Sequence, residues 1–191
     1  QPDMSSERAD SANAILLAGD EILSQAEELL ALIDDEAYRC KVEAAFGATL
    51  GGHMRHCIDH FISFLAGVAE TRINYDHRER DSVLETDRSA ALLRVREIRE
   101  SLSRLNAKTL ARPSSVTCKV RYEGEFAQSA ETTFARELMY VVSHAMHHLA
   151  LMRIMANLLK IELPEQFGVA PSTLAHLQLQ KSNPALAAAQ A

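Results

Sequence analysis

The chain has 191 residues, 47% hydrophobic and 24% charged, with a formal net charge of −6 when its histidines are neutral. A chain of this kind builds one globular domain with a sizeable core, and its acidic balance speaks against a nucleic-acid-binding surface, which needs clustered Lys and Arg. No apolar run approaches the ~18 residues of a membrane span, the opening QPDMSSERAD lacks an apolar signal-peptide core, and three distant cysteines without C-x-x-C spacing (Cys40, Cys57 and Cys118) suit a reduced cytoplasmic protein.

In chain order, residues 1–10 are expected to be disordered, residues 11–180 to form a single domain, and residues 181–191 a flexible tail. The first helix is predicted over 11–33, with Ile15, Leu16, Ile22, Leu23, Leu29, Leu30 and Ile33 at helical spacing and acids on the other face. Residues 34–48 read as a connector. A second helix is predicted from Thr49 to Thr71, although Gly51 and Gly52 weaken its first turn. The charged stretch INYDHRERDSVLE, residues 73–85, reads as a long solvated loop. A third helix is predicted from Asp87 to about Asn106 with Thr86 as its N-cap, and Pro113 bars any continuation. The alternation of Val116, Cys118, Val120 and Tyr122 predicts a strand, Glu123-Gly124 a turn, and the residues through Phe126 a second strand of a small hairpin. A fourth long helix is predicted from Thr132 or Thr133 to about Lys160, and a short one from Pro171. Four long amphipathic helices with a β-hairpin insert before the last of them make an all-α four-helix bundle.

The histidines do not fit an ordinary bundle interior. Residues 143–151 read SHAMHHLAL. His144 and His148 stand one turn apart on one face, ~6 Å along the axis, with His147 at their flank. On the second helix His53, His56 and His60 stand at i, i+3 and i+7, again on one face. Six of the eight histidines therefore lie on two stripes. If the stripes face each other, their nitrogens converge, and a divalent metal is the natural partner of converging neutral imidazoles. A lone histidine on an apolar face is usually just a hydrogen-bonded core residue, and a single H-x-x-x-H pair also arises by chance. Two stripes in one small bundle weigh against both accounts. With Ala145 and Met146 between the pair there is no HExxH glutamate to act as a general base.

The stretches GGHMRHCIDHF and SHAMHHLALMRI resemble the two histidine motifs of the DinB/YfiT-like superfamily, and the likeness spans about residues 10–180. It implies a four-helix bundle, often homodimeric, with a divalent metal on three histidines. By motif match these would be His144 and His148 from the last helix and His56 from the second, with His53 and His60 on the same face as alternatives to His56. Three imidazoles leave coordination positions open, with Zn, Ni or Fe the expected ion. The resemblance implies a metal-dependent enzyme of the thiol-transferase or hydrolase type with a small-molecule thiol as one partner. The alternative is a non-catalytic metal-binding or stress-related structural bundle. Neither substrate nor reaction follows from the residues.

Around the stripes, Glu137 and Tyr140 lie seven and four positions before His144 and could hydrogen-bond the ligating rings. First-turn acids are also common for reasons of the helix dipole. His60 and His147 are candidate pocket residues. Asp59 either orients an imidazole or faces solvent, and Cys57 reads as a small buried residue. The NYDHRERD loop follows the second helix about four turns, or ~24 Å, from His56, and reads as a surface connector. Leu17 and Leu92 fall outside the main apolar stripes and predict a two-fold homodimer through helix faces.

Overall fold

The computed structural model describes residues 4–76, 81–124 and 126–182. Four long helices make the bundle: α1 (Met4–Leu32), α3 (Leu50–Glu70), α5 (Arg88–Ser103) and α7 (Phe134–Leu158). Each packs on two of the others, α1 and α3 both against α5 and α7. Shorter helices are α2 (Asp35–Arg39), α4 (Ser82–Thr86), α6 (Ala107–Leu110) and α8 (Pro171–Ser182). The core draws Ile22, Leu23, Leu29 and Leu30 from α1, Met54, Ile58, Phe61 and Phe64 from α3, Val95, Ile98 and Leu102 from α5, and Leu138, Val141, Leu149 and Met152 from α7. These positions recur every three or four residues, the period that puts one stripe of each helix inside. Among the described residues no helix is long and apolar enough to cross a membrane.

Helix boundaries follow local chemistry. Thr49 caps α3 by accepting from the Gly52 amide at 2.9 Å, and Thr133 caps α7 by accepting from the Arg136 amide. The cap of α5 is Asp87, accepting from the Ala90 amide at 2.9 Å, and not Thr86. The latter is the last residue of α4, and its hydroxyl donates back to the Ser82 carbonyl. Helix α1 begins at Met4, well before residue 11, so most of the segment expected to be disordered is helical. The last nine residues of the tail lie outside the described part of the chain.

The connector 34–48 holds α2 and a short 3-10 turn, Glu43–Ala45. From α2, Tyr38 is fully buried and donates its hydroxyl to the Leu84 carbonyl at 2.6 Å. This contact brings α4 against the start of α3, where a Cβ on Gly51 would lie 2.0 Å from the Glu85 carbonyl oxygen. Gly51 is therefore a close-approach residue whose packing need outweighs its poor helix propensity.

The hairpin insert is present with its strands shifted. Strand β2 (Pro113–Cys118) pairs antiparallel with β3 (Gln128–Thr133), and residues between them, including exposed Val120 and Tyr122, form the connection. A third strand, β1 (Arg72–Asn74), pairs parallel with β2, giving the order β1-β2-β3. The segment read as a solvated loop thus contains a strand, a helix and the buried residues Ile73, Tyr75 and Leu84. Its return is made possible at the end of α3. Thr71 takes a left-handed φ of 59°, and a Cβ on Gly67 would sit 2.3 Å from Ile73 Cγ1. Only a bare α-carbon lets β1 lie back along the helix.

Candidate metal centre

Helices α3 and α7 pack directly against each other, and their histidine stripes meet. His56 Nε2 and His144 Nε2 are 2.9 Å apart. The rings of His60 and His144 have centroids 4.1 Å apart, and those of His56 and His60 4.5 Å. One nitrogen from each of His56, His60 and His144 lies within 4.8 Å of the others. His60 is 4% exposed, and its Nδ1 lies 2.9 Å from the His56 carbonyl oxygen. A carbonyl can only accept, so Nδ1 carries the proton and Nε2 the lone pair. This backbone contact fixes the tautomer in the way that ligating histidines are usually held.

His148 is one ring away, with centroids 4.6 Å from His56 and 4.7 Å from His144. Its Nδ1 stands 2.8 Å from His53 Nδ1, so one of these two rings donates to the other. Burial, and then the neighbouring imidazoles of His144, His53, His147 and His60, push His148 down to about 3. Burial and His147 lower His53 in the same direction. Both rings are thereby kept in the neutral form that binds metal. His147 is exposed at the flank, its ring 5.4 Å from that of His148. Of the residues singled out by motif, His56 and His144 meet directly through their Nε2 atoms. His60 completes the converging triple, and His148 borders it while contacting His53.

A wall of tyrosines closes one side. Tyr75 stacks on His60 at 5.4 Å and 19°, Tyr140 stacks on His144 at 5.8 Å and 24°, and the two tyrosines are 5.2 Å apart. Glu137 is 5% exposed, and its two carboxylate oxygens accept from the hydroxyls of Tyr75 (3.0 Å) and Thr132 (2.8 Å). These hydrogen bonds therefore run to Tyr75 of the tyrosine wall and to Thr132 of β3. Asp59 is buried and accepts from Arg55 at 2.9 Å, so it does not face solvent. The thiol of Cys57 is buried and pushed up to about 12, as expected of an inert core cysteine. Tyr75 is the site residue that sequence reasoning missed. The available signal was Ile73-x-Tyr75, two large apolar side chains on one face of a short strand. The charges that follow masked it.

The donor set fits a divalent ion. Imidazole nitrogens converge from two rigid helices, one with its tautomer fixed, in a half-buried space walled by aromatic rings, and imidazole suits Zn, Ni and Fe alike. The fold and this cluster define a class, the helix bundles with a histidine cluster between two of their helices that could hold a metal. The DinB superfamily matches residues 19–152, and the chain belongs to that family. The match includes every histidine of both stripes. A stretch of 110 residues is 33% identical to "FK506-binding protein 5" of the fungus Rhizopus delemar, covering 58% of this chain and 29% of that protein. The chain thus spans under a third of that relative's length. No solved structure matches the chain.

Proposed function

We propose that the chain is a divalent-metal protein with its ion held between α3 and α7, and that the centre serves a metal-dependent enzyme of the thiol-transferase or hydrolase type. The observation that carries this reading is the convergence of His56, His60 and His144 nitrogens within 4.8 Å. His144 belongs to every version of the ligand set, and His56 is the ligand from the second stripe by both motif register and convergence, with His53 and His60 its alternatives in the motif. As the rings lie, His60 supplies the third nitrogen. The motif register instead gives His148, whose ring packs on both His56 and His144. A bound ion of this kind polarises a carbonyl or lowers the pKa of a bound water or thiol. The chain's own residues orient and enclose. The His56 carbonyl fixes the His60 tautomer, and the tyrosine wall restricts small-molecule approach on one side. The reading draws on the histidine geometry and the family, with a small-molecule thiol as partner, a cytoplasmic location and a homodimeric assembly. Leu17 is 58% exposed on α1, consistent with a helix-face dimer contact, whereas Leu92 packs against the core and offers none, and sedimentation that finds only monomer at micromolar concentration would remove the dimer.

The test is anaerobic purification of the chain with metal quantification, followed by a screen of thiol cosubstrates. About one ion per chain is expected, with His56→Ala and His144→Ala both losing it. His60→Ala and His148→Ala decide the third ligand, because the true one abolishes stoichiometric binding. A purified chain that never carries or takes up metal overturns the reading. Metal that stabilises the fold without turnover of any thiol or hydrolysable substrate removes the enzyme and keeps the metal protein.

A further inference from the structure

Tyr75 is held as few residues in a connection are. Its backbone amide donates to the Thr117 carbonyl at 3.2 Å, tying it to β2. Its hydroxyl donates to Glu137 on α7, and the other oxygen of that carboxylate takes the Thr132 hydroxyl from β3. Tyr75 is thus tied by its backbone to β2 and by its hydroxyl to α7, with β3 holding the accepting carboxylate, and its side chain is 4% exposed. If the position only had to fill the core, a phenylalanine would do so without burying a hydroxyl and a carboxylate together, a pairing that costs desolvation on both sides. Burial and the nearby carboxylate raise the phenol's pKa, so it remains a proton donor to Glu137.

What this anchoring supports is the His60 ring. The hydrogen bond from His60 Nδ1 to the His56 carbonyl fixes a direction, but a single hydrogen bond leaves the ring free to rock about it. The Tyr75 ring, nearly parallel at 19°, blocks that motion on one face, and His144 at 4.1 Å stands against the ring from α7. We propose that Tyr75, tethered by Glu137, is a positioning residue of the metal centre that holds the His60 imidazole with its Nε2 toward the ion. This rests on the metal reading above and adds to it a residue from outside both histidine motifs. Outer contacts of this kind typically change metal affinity 10–100-fold.

The experiment uses the full chain with Co²⁺ as a coloured probe, its affinity measured by competition with a chromophoric chelator. NMR of the His60 ring protons in metal-free protein gives a second readout. Tyr75→Leu is expected to weaken Co²⁺ binding 10–100-fold, to change its visible absorption, and to move the His60 ring protons downfield as the stacked ring current is lost. Tyr75→Phe keeps the ring and loses the tether, and should recover most of the NMR shift while leaving affinity between the two. Ile73→Ala is the structural control. It empties a buried position of β1 that no imidazole stacks on, so it should lower the melting temperature with the Co²⁺ spectrum unchanged. The proposal is overturned if Tyr75→Leu binds Co²⁺ with wild-type affinity and colour, or if it matches Ile73→Ala in every readout. Should Tyr75→Leu fail to fold, Tyr75→Phe decides, and wild-type affinity there overturns the tether. Wild-type protein that takes no Co²⁺ sinks the metal reading and this inference with it, whereas binding by the wild type with no effect of any Tyr75 substitution sinks only this one.

Discussion

Of the four seams between the long helices, α1/α5 and α3/α7 treat polar groups in opposite ways. Between α1 and α5 the interior is wholly apolar, and the charges stay on the rim. Arg99 forks onto Asp20 with contacts of 2.7 and 3.0 Å and reaches Glu27 at 2.7 Å, while Arg96 meets Glu27 at 2.6 Å. Each charge there faces its opposite. Between α3 and α7 the polar groups sit among the core side chains and are mostly imidazoles, bordered by Glu137 and two tyrosines. Neutral imidazoles share protons with one another, as His53 does with His148 and His56 with His144, and a cation can replace such a shared proton by bridging their nitrogens. The first seam is complete as a packing and ion-pair arrangement. The second is the one that, on the proposed function, an ion would complete, and this difference sets the packing seam apart from the candidate site.

The strongest way to break the comparison is to remove a histidine nitrogen. His144→Ala should abolish metal binding while leaving the α1/α5 seam folded. In the wild type, an ion at a thousandfold its dissociation constant should add about 4 kcal/mol of stability relative to chelator. In His144→Ala that difference should vanish. Urea melts with and without chelator measure both, and a variant that still responds to metal would show that His144 is not a ligand.

The converse substitution belongs to the other seam. Ile98 is buried in α5 against α1 and α3. Ile98→Ala should cost roughly 2–5 kcal/mol through lost burial and a cavity, with metal stoichiometry intact in the folded fraction. If metal is lost in proportion to stability, the two seams are not independent and the comparison fails.

The sequence made the long helices and the histidine stripes legible because both depend on periodicity along one element. Ile22, Leu29, Val95 and Leu149 sit where helical spacing puts them, and His56 and His144 meet as two facing stripes should. The Asp87 cap was missed although Asp caps better than Thr by type, because the end of α4 at Thr86, which leaves Asp87 as the junction, is not visible in the local sequence. Strand β1 and Tyr75 were missed for a stronger reason. A parallel strand pairing with a segment some forty residues later leaves no local pattern, and the charges after Tyr75 read as surface. The contact of His148 with His53 is likewise a matter of ring rotation, which helical spacing does not set.

Gly67 links the two kinds of information. Its missing side chain lets Ile73 lie on α3, and Tyr75 follows two residues later. Gly67→Ala gains helix propensity of about 1 kcal/mol, but it forces a Cβ to 2.3 Å from a fully buried Ile73. Overpacking of this sort costs roughly 1–3 kcal/mol. The expected net result is a modest loss of stability together with weaker metal binding, since the strand carries Tyr75. A melt lower than wild type with unchanged metal affinity would show that β1 can shift without moving the tyrosine.

The smallest effect is expected at the rim of the α1/α5 seam, and its pH dependence identifies it. Arg99→Ala removes the forked contact to Asp20 and one of two contacts to Glu27, leaving Arg96 on the latter. Partly exposed pairs contribute about 0.2–1 kcal/mol each, so the loss at neutral pH should be about 1 kcal/mol. Asp20 is lowered chiefly by its hydrogen bond from Arg99, and Glu27 chiefly by that from Arg96 with Arg99 contributing. A carboxylate lowered in the folded state binds fewer protons there than in the unfolded chain. Its contribution is therefore whole above the unfolded values, 3.8 for Asp and 4.5 for Glu, and is lost as pH falls through the lowered folded ones. The stability difference between wild type and Arg99→Ala should stay constant from neutral pH down to about 4.5 and then close below it. Urea melts with chelator present silence the metal seam during this measurement, and added salt should shrink the difference at neutral pH through screening. A difference that persists unchanged in acid would mean that Arg99 stabilises α5 through its packed side-chain stem, and the rim would then be apolar in effect like the interior beneath it.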